Sequence, residues 1–184
     1  MYEKYHFKQQ LEDRLEHLNF LKSIGYQIGS GSMIGLPMQT LEDIAADILL
    51  CKELDLDMAA FGPFISSPNT PYQHFKSGNA ELTLNTMAVA LIVLKNVHIP
   101  ATTALDSIDP IGRERGLIAG ANVVMPNLTP LPYRTKYQIY PNKRGSQDDP
   151  IVSTASLQKR IEAIGRKVSS LRGDSLKMDS LQSL

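Results

Sequence analysis

Residues 25–43 read GYQIGSGSMIGLPMQTLED, with glycines at Gly25, Gly29, Gly31 and Gly35 followed by Pro37. Glycines ahead of a helix suggest a loop that cradles phosphate, but the G-x-G-x-x-G spacing is not met. The helix also starts too late. Thr40 and Asp43 form a capping box, with the shorter Asp in place of Glu. A helix therefore begins near Leu41 and runs to about Leu54, with Ile44, Ile48 and Cys51 on one face. Gly25 ends the preceding helix as its C′ glycine. The other three glycines lie in an extended run, 26–36, where missing side chains let a ligand or a neighbouring backbone come close. The stretch is a strand and its exit.

Working outward, the same unit recurs. Before the stretch, Leu11, Leu15, Leu18 and Leu21, widened by Phe20 and Ile24, predict a helix over 8–24. After it, MAAFGPFI (58–65) reads as a buried strand, followed by a proline-broken loop and a helix from about Leu82 to Asn96. IPATTAL (99–105) reads as a third strand. Asp109 and Pro110 predict an N-cap and first helical position for a helix ending at Gly120, and ANVVMPN (121–127) a fourth strand. Mostly apolar strands alternating with helices make an α/β fold with a parallel sheet, either an open doubly wound sheet or part of a (βα)8 barrel. A whole barrel takes about 250 residues and eight strands. This chain has 184 residues, four such strands and a helix ahead of the first, which predicts half a barrel with its front half missing. Asp149 and Pro150 start a last helix, with Leu157, Ile161, Ile164, Val168 and Leu171 in step. The expected organisation is a partial barrel over 1–140, a linker over 141–150, a helix over 151–172 and a disordered tail over 173–184.

The hydrophobic fraction of 42% supports a core, and a formal net charge of zero gives no electrostatic case for nucleic acid or an anionic membrane. No apolar run reaches the roughly 20 residues of a membrane span, and the N-terminus lacks a signal-peptide core. The single cysteine, Cys51, rules out an intrachain disulfide framework and a multi-thiolate metal site within the chain, and points to a cytoplasmic protein. His6, His17, His74 and His98 show no metal-ligand spacing and read as surface residues.

Strand ends in a barrel carry function. Here they offer Ser, Thr, Met, Pro and Asn, with no carboxylate pair, histidine base or lysine, so no catalytic residue is assigned. An enzyme built this way relies on a cofactor for its reactive agent. Thr102 and Thr103, read as mid-strand, suit either β-propensity or a ligand carboxylate. Met33, Met58 and Met125 sit on strands as core or as walls of an apolar pocket. Tyr137 and Tyr140 form either loop packing or a lid. Arg14, among Asp13 and Glu16, is a surface ion pair or the cation for a ligand carboxylate. Asp106 and Asp109 read as caps of the turn into the next helix.

Three segments carry a resemblance: residues 25–58, FGPFISSPNTP (61–71), and IPATTALDSIDPIGRERGLIAGANVVMPNLTPLPYRTKYQIYPNK (99–143). Together they resemble the C-terminal half of the HydE family, radical S-adenosylmethionine maturases of FeFe-hydrogenase related to biotin synthase and methylornithine synthase, over about 8–172. The resemblance implies a (βα)8 barrel whose first half binds a 4Fe-4S cluster through Cys-x3-Cys-x2-Cys. The cluster cleaves S-adenosylmethionine to a 5′-deoxyadenosyl radical, which in the family acts on an iron–cysteine complex during hydrogenase cofactor assembly. It implies that Arg14, Met33 and Pro63 meet S-adenosylmethionine, that Thr102 and Thr103 hold a ligand carboxylate, and that Met58, Met125, Tyr137 and Tyr140 line the cavity.

Two departures follow. The cluster motif is absent from this sequence, so the chain is expected to hold no cluster and to be inactive alone. The family's peripheral Cys-x7-Cys-x2-Cys falls on Gly145, Ser153 and Ser156, so no auxiliary cluster is expected. The expected partners are a small-molecule substrate, a separately encoded N-terminal half or a second copy, and other hydrogenase maturases. The alternatives are a non-catalytic half-barrel, a methylornithine-synthase-like enzyme with another substrate, and, more weakly, a barrel aldolase or isomerase.

Overall fold

The computed structural model describes residues 2–137, 139–145 and 149–177. In chain order it contains α1 (Tyr2–Tyr5), α2 (Leu11–Ser23), β1 (Gly29–Ile34), α3 (Leu41–Glu53), β2 (Met58–Pro63), α4 (Ala80–Leu94), α5 (Thr103–Ile108), α6 (Gly112–Ala119), α7 (Leu131–Arg134), a 3-10 turn (Thr135–Tyr137) and α8 (Pro150–Ala163). The decisive stretch folds as read. Gly25, at φ +89°, follows the Ile24 C-cap of α2. The Thr40 side chain accepts from the Asp43 amide, and the Asp43 carboxylate accepts from the Thr40 amide, which completes the box opening α3.

β1 and β2 pair in parallel, from Gly29 opposite Met58 to Ile34 opposite Pro63. The glycines explain how closely they lie. A Cβ on Gly31 would sit 1.8 Å from the Ala60 carbonyl oxygen. The third and fourth strand segments are reduced to single parallel bridges, Met58 with His98 and Pro100 with Val123. Asn122 is the reason. Its side chain accepts from the Ile99 amide at 2.8 Å and donates to the Val97 carbonyl at 3.1 Å, taking contacts that a longer ladder would use. Pro100 also brings no amide hydrogen. The order of the four segments is the one expected.

One face of this sheet is covered. Ala59, Phe61, Val97, Ile99 and Ala101 are buried with Ile44, Ile48, Met87, Ala90 and Leu117 of the helices. α3 packs on β1 and α4, and α4 packs on β2 and α6, so the helices form one layer of successive neighbours. That arrangement favours the barrel over the doubly wound alternative.

Five readings are corrected. Thr102 and Thr103 are not mid-strand: Thr102 is the N-cap of α5 and Thr103 its first residue, because the Thr102 hydroxyl captures the Leu105 amide at 3.2 Å and starts a helical turn. Asp109 does not open the next helix. It closes α5 and accepts from the Ile111 amide, and α6 begins at Gly112. Asp106 is no cap but a buried acid among arginines. The last helix stops at Ala163 rather than near 172, where Ile164 caps it and Gly165 turns to φ +75°. The remaining residues up to Lys177 return to the strand entries. There Ser175 bonds Asp57 at 2.5 Å, Lys177 reaches the Asp55 and Leu56 carbonyls, and the His98 ring meets the Asp174 carbonyl. Ser175 is buried, so 173–177 is packed; 178–184, and with them the rest of the expected tail, lie outside the described residues. The same holds for residues 146–148 of the expected linker.

This return segment is pH-sensitive in principle. The Lys177 ammonium first, then Lys22, holds the Asp55 carboxyl below its usual range. A depressed native pKa gives support that is present above the unfolded value and lost as pH falls through the native one. Amide protection of residues 174–177 is expected to fall first below about pH 4, and Asp55→Asn to reproduce this at neutral pH. Unchanged hydrogen exchange in both experiments would contradict it.

Candidate functional site

Burial alternates along β2, with Ala59, Phe61 and Pro63 turned to the helices. Met58, Ala60 and Gly62 therefore occupy the opposite face, together with their register partners Gly29, Gly31 and Met33. That face carries small residues and a half-exposed Met33, at 50% relative exposure. Gly62 is the contact point with the next segment, since a Cβ there would lie 3.0 Å from Thr102 Oγ1. Met33, Gly62 and Thr102 thus form one row across three consecutive strand segments. Met125 lies two residues past the Val123 bridge and is exposed. Met58 is half-buried at the start of the row's strand, against Gly29. Pro63 is buried at the β2 exit.

The other expected residues scatter. Arg14 is exposed in the first turns of α2 and makes no ion pair or hydrogen bond among the described residues. The segment just before it is tied to the β1 exit, where Tyr5 donates to the Pro37 carbonyl and Lys4 meets the Met38 sulfur at 3.0 Å. Tyr137 is exposed on its 3-10 turn. Tyr140 is half-buried beside α5. Burial raises its pKa, opposed by the Ser107 hydroxyl and the Arg113 charge.

Beneath α5 lies a charged cluster that the sequence did not single out. Asp106, 2% exposed, accepts from Arg160 of α8 at 2.8 Å and faces Arg113 Nε at 3.7 Å and Arg144 Nε at 3.8 Å. Arg160 also pairs with Glu114, whose pKa it lowers, while Arg113 donates from Nη2 to Thr103 Oγ1 at 3.1 Å. The signal available was the charged Arg113-Glu114-Arg115 run between apolar segments, but its partners lie far off in sequence. Gly145, Ser153 and Ser156 line a cavity of about 640 Å³ beside this cluster. They supply oxygen and backbone, not the thiolates of an iron–sulfur site. Arg134, also missed, is buried and donates to the carbonyls of Asn127, Thr129 and Gly145, which fixes the loop after the last strand segment.

The match in sequence decides the family likeness. The chain is 48% identical, over 156 residues, to the [FeFe] hydrogenase maturase subunit HydE of Thermotoga maritima. It resembles HydE. That alignment takes in 85% of this chain and 45% of HydE, consistent with a C-terminal half. The chain is also 28% identical to 3-methylornithine synthase of Methanosarcina acetivorans over 90% of its length, covering 45% of that protein. It spans about half the length of the curated relatives it matches. No family model matches it. Among solved structures, methylornithine synthase (PylB) superposes with a TM-score of 0.73 at 22% identity, covering 100% of this chain and 51% of that one. The fold is therefore half of a (βα)8 barrel, with its sheet unclosed among the described residues.

The 4Fe-4S cluster does not fit. Cys51 is the only thiol, it points into the core from α3, and burial with the nearby Asp47 carboxylate pushes it up to about 11. It is expected to resist iodoacetamide at about pH 8 while the chain is folded and to react in denaturant. Incubation with iron and sulfide is expected to leave no stable visible absorption. Fast native alkylation would overturn the first expectation, and a stable cluster spectrum the second. The groups that S-adenosylmethionine would call on are present: small residues beside the half-exposed Met33, and at Arg14 a guanidinium with no partner among the described residues.

Proposed function

We propose that this chain forms the C-terminal part of a radical S-adenosylmethionine enzyme of the HydE type, contributing cofactor and substrate contacts but not the cluster. In this reading Arg14 meets the carboxylate of S-adenosylmethionine, and Met33 and Pro63 flank it. Thr102 and Thr103 hold the carboxylate of a small substrate, an iron–cysteine complex or a related acid. Met58, Met125, Tyr137 and Tyr140 wall the cavity. When bound, S-adenosylmethionine supplies the 5′-deoxyadenosyl group for radical chemistry, while this chain binds, orients and excludes water. The process served is assembly of the FeFe-hydrogenase cofactor, with other maturases, in the cytoplasm. The chain is inactive without a cluster-bearing half.

The observation that supports this most is the row Met33–Gly62–Thr102, where glycine sets no side chain between a thioether that suits a cofactor and a hydroxyl that suits a carboxylate. Titration with S-adenosylmethionine tests it. Saturable binding is expected, weakened about tenfold by Arg14→Gln, since a hydrogen bond between charged groups contributes roughly 1.5–3 kcal/mol. No heat with the parent chain, or equal affinity in Arg14→Gln, would refute the assignment.

A second reading draws on β1. Its outer edge pairs with nothing among the described residues, and open edges invite pairing. The chain would then be a half-barrel that binds a second copy or a separate N-terminal half. Sedimentation of a strictly monomeric chain across concentration would argue against self-association.

A further inference from the structure

We propose that Arg113 is a positioning residue that aims the Thr103 hydroxyl at an anionic ligand group. The inference rests on the reading that Thr103 contacts a ligand carboxylate, and it names what makes that hydroxyl fit for the task. Both threonines of the pair accept a hydrogen bond at Oγ1. Thr102 accepts from a neutral backbone amide, that of Leu105, at 3.2 Å. Thr103 accepts from a guanidinium, Arg113 Nη2, at 3.1 Å. A hydroxyl has one proton, and none of the described residues accepts it from Thr103. With the oxygen engaged by a cation, the O–H is polarised and directed away from Arg113, as a stronger donor than a free threonine.

The surroundings hold Arg113 to this geometry. Its side chain is 12% exposed, and Nε faces the Asp106 carboxylate across 3.7 Å with no hydrogen bond of its own. Asp106 is fixed in turn by Arg160 of α8 at 2.8 Å. The Thr103 carbonyl is also engaged, by Ser107 Oγ at 2.8 Å. Arg113 thus has little freedom to swing to the ligand itself, and its influence passes through the Thr103 oxygen.

A double-mutant cycle on this 184-residue chain tests the idea, with L-cysteine as the carboxylate probe and cysteamine as its decarboxylated control. Affinities are read by titration and folding by thermal melts. Thr103→Val and Arg113→Met are each expected to weaken L-cysteine binding by about tenfold. In the Thr103→Val background Arg113→Met is expected to add no further loss. Arg113→Lys, which keeps a cationic donor, recovers part of the affinity, and cysteamine shows no dependence on residue 113. If Arg113→Met does not fold, Arg113→Gln takes its place in the cycle. Parent-like affinity in the folded 113 variant, or losses that multiply in the double mutant, would overturn the positioning role. If Thr103→Val binds like the parent, or the parent binds no L-cysteine, the carboxylate reading of Thr103 itself fails, and the proposal falls with it.

Discussion

Asp106→Ala is expected to destabilise the chain by about 3 kcal/mol or more, read as a shifted urea midpoint at unchanged slope. The size follows from what would be left behind. Asp106 is buried at 2% exposure and faces Arg113, Arg144 and Arg160. Without it Arg160 keeps only Glu114, and the largely buried Arg113 loses the one acid that faces it among the described residues; removing one member of a buried set costs far more than an exposed pair is worth. Arg160→Met is the informative contrast. It frees α8 from α5 but leaves Asp106 near two arginines, so a smaller loss of about 1–2 kcal/mol is expected, with faster proteolysis within Pro150–Ala163. An Asp106→Ala chain within about 0.5 kcal/mol of the parent would mean that the cluster does not hold these helices together.

The second large effect is at Gly31. A Cβ there would lie 1.8 Å from the Ala60 oxygen and 2.7 Å from its carbonyl carbon, both backbone atoms of the paired strand. No side-chain adjustment relieves that overlap, so the strands must part. Gly31→Ala is expected to cost more than about 3 kcal/mol and to abolish cofactor binding along the row. Gly25→Ala separates this steric effect from backbone conformation. Gly25 has φ +89° with nothing within 4 Å, and only the left-handed penalty of about 1–2 kcal/mol applies. Equal melting shifts for the two variants would show that the close approach at Gly31 is not what matters.

The fold was legible where a local rule acts alone. The Thr40–Asp43 box and Gly25 set the ends of two helices, and apolar runs separated by helices gave the parallel order. Legibility failed where distant partners decide. IPATTAL is apolar and β-branched enough to read as a strand to Leu105, yet the Thr102 hydroxyl capping the Leu105 amide turns its end into a helix. The spacing of Val168 and Leu171 continued a helical pattern that the backbone leaves at Gly165. Asp106 looked like a cap because its partner Arg160 stands 54 residues away. For the site, the residue types were visible, but not the face they share. MAAFGP is small or apolar at every position, so only the paired register separates Met58, Ala60 and Gly62 from Ala59, Phe61 and Pro63.

The return of the C-terminal segment to the strand entries also bears on folding order. Ser175 and Asp57 are 118 residues apart, and Lys177 and Leu56 are 121 apart. Contacts of such separation must overcome the entropy of closing a long loop before they contribute anything. The segment therefore docks late, on strands already assembled, and until then the entries of β2 and of the His98 segment stay solvated.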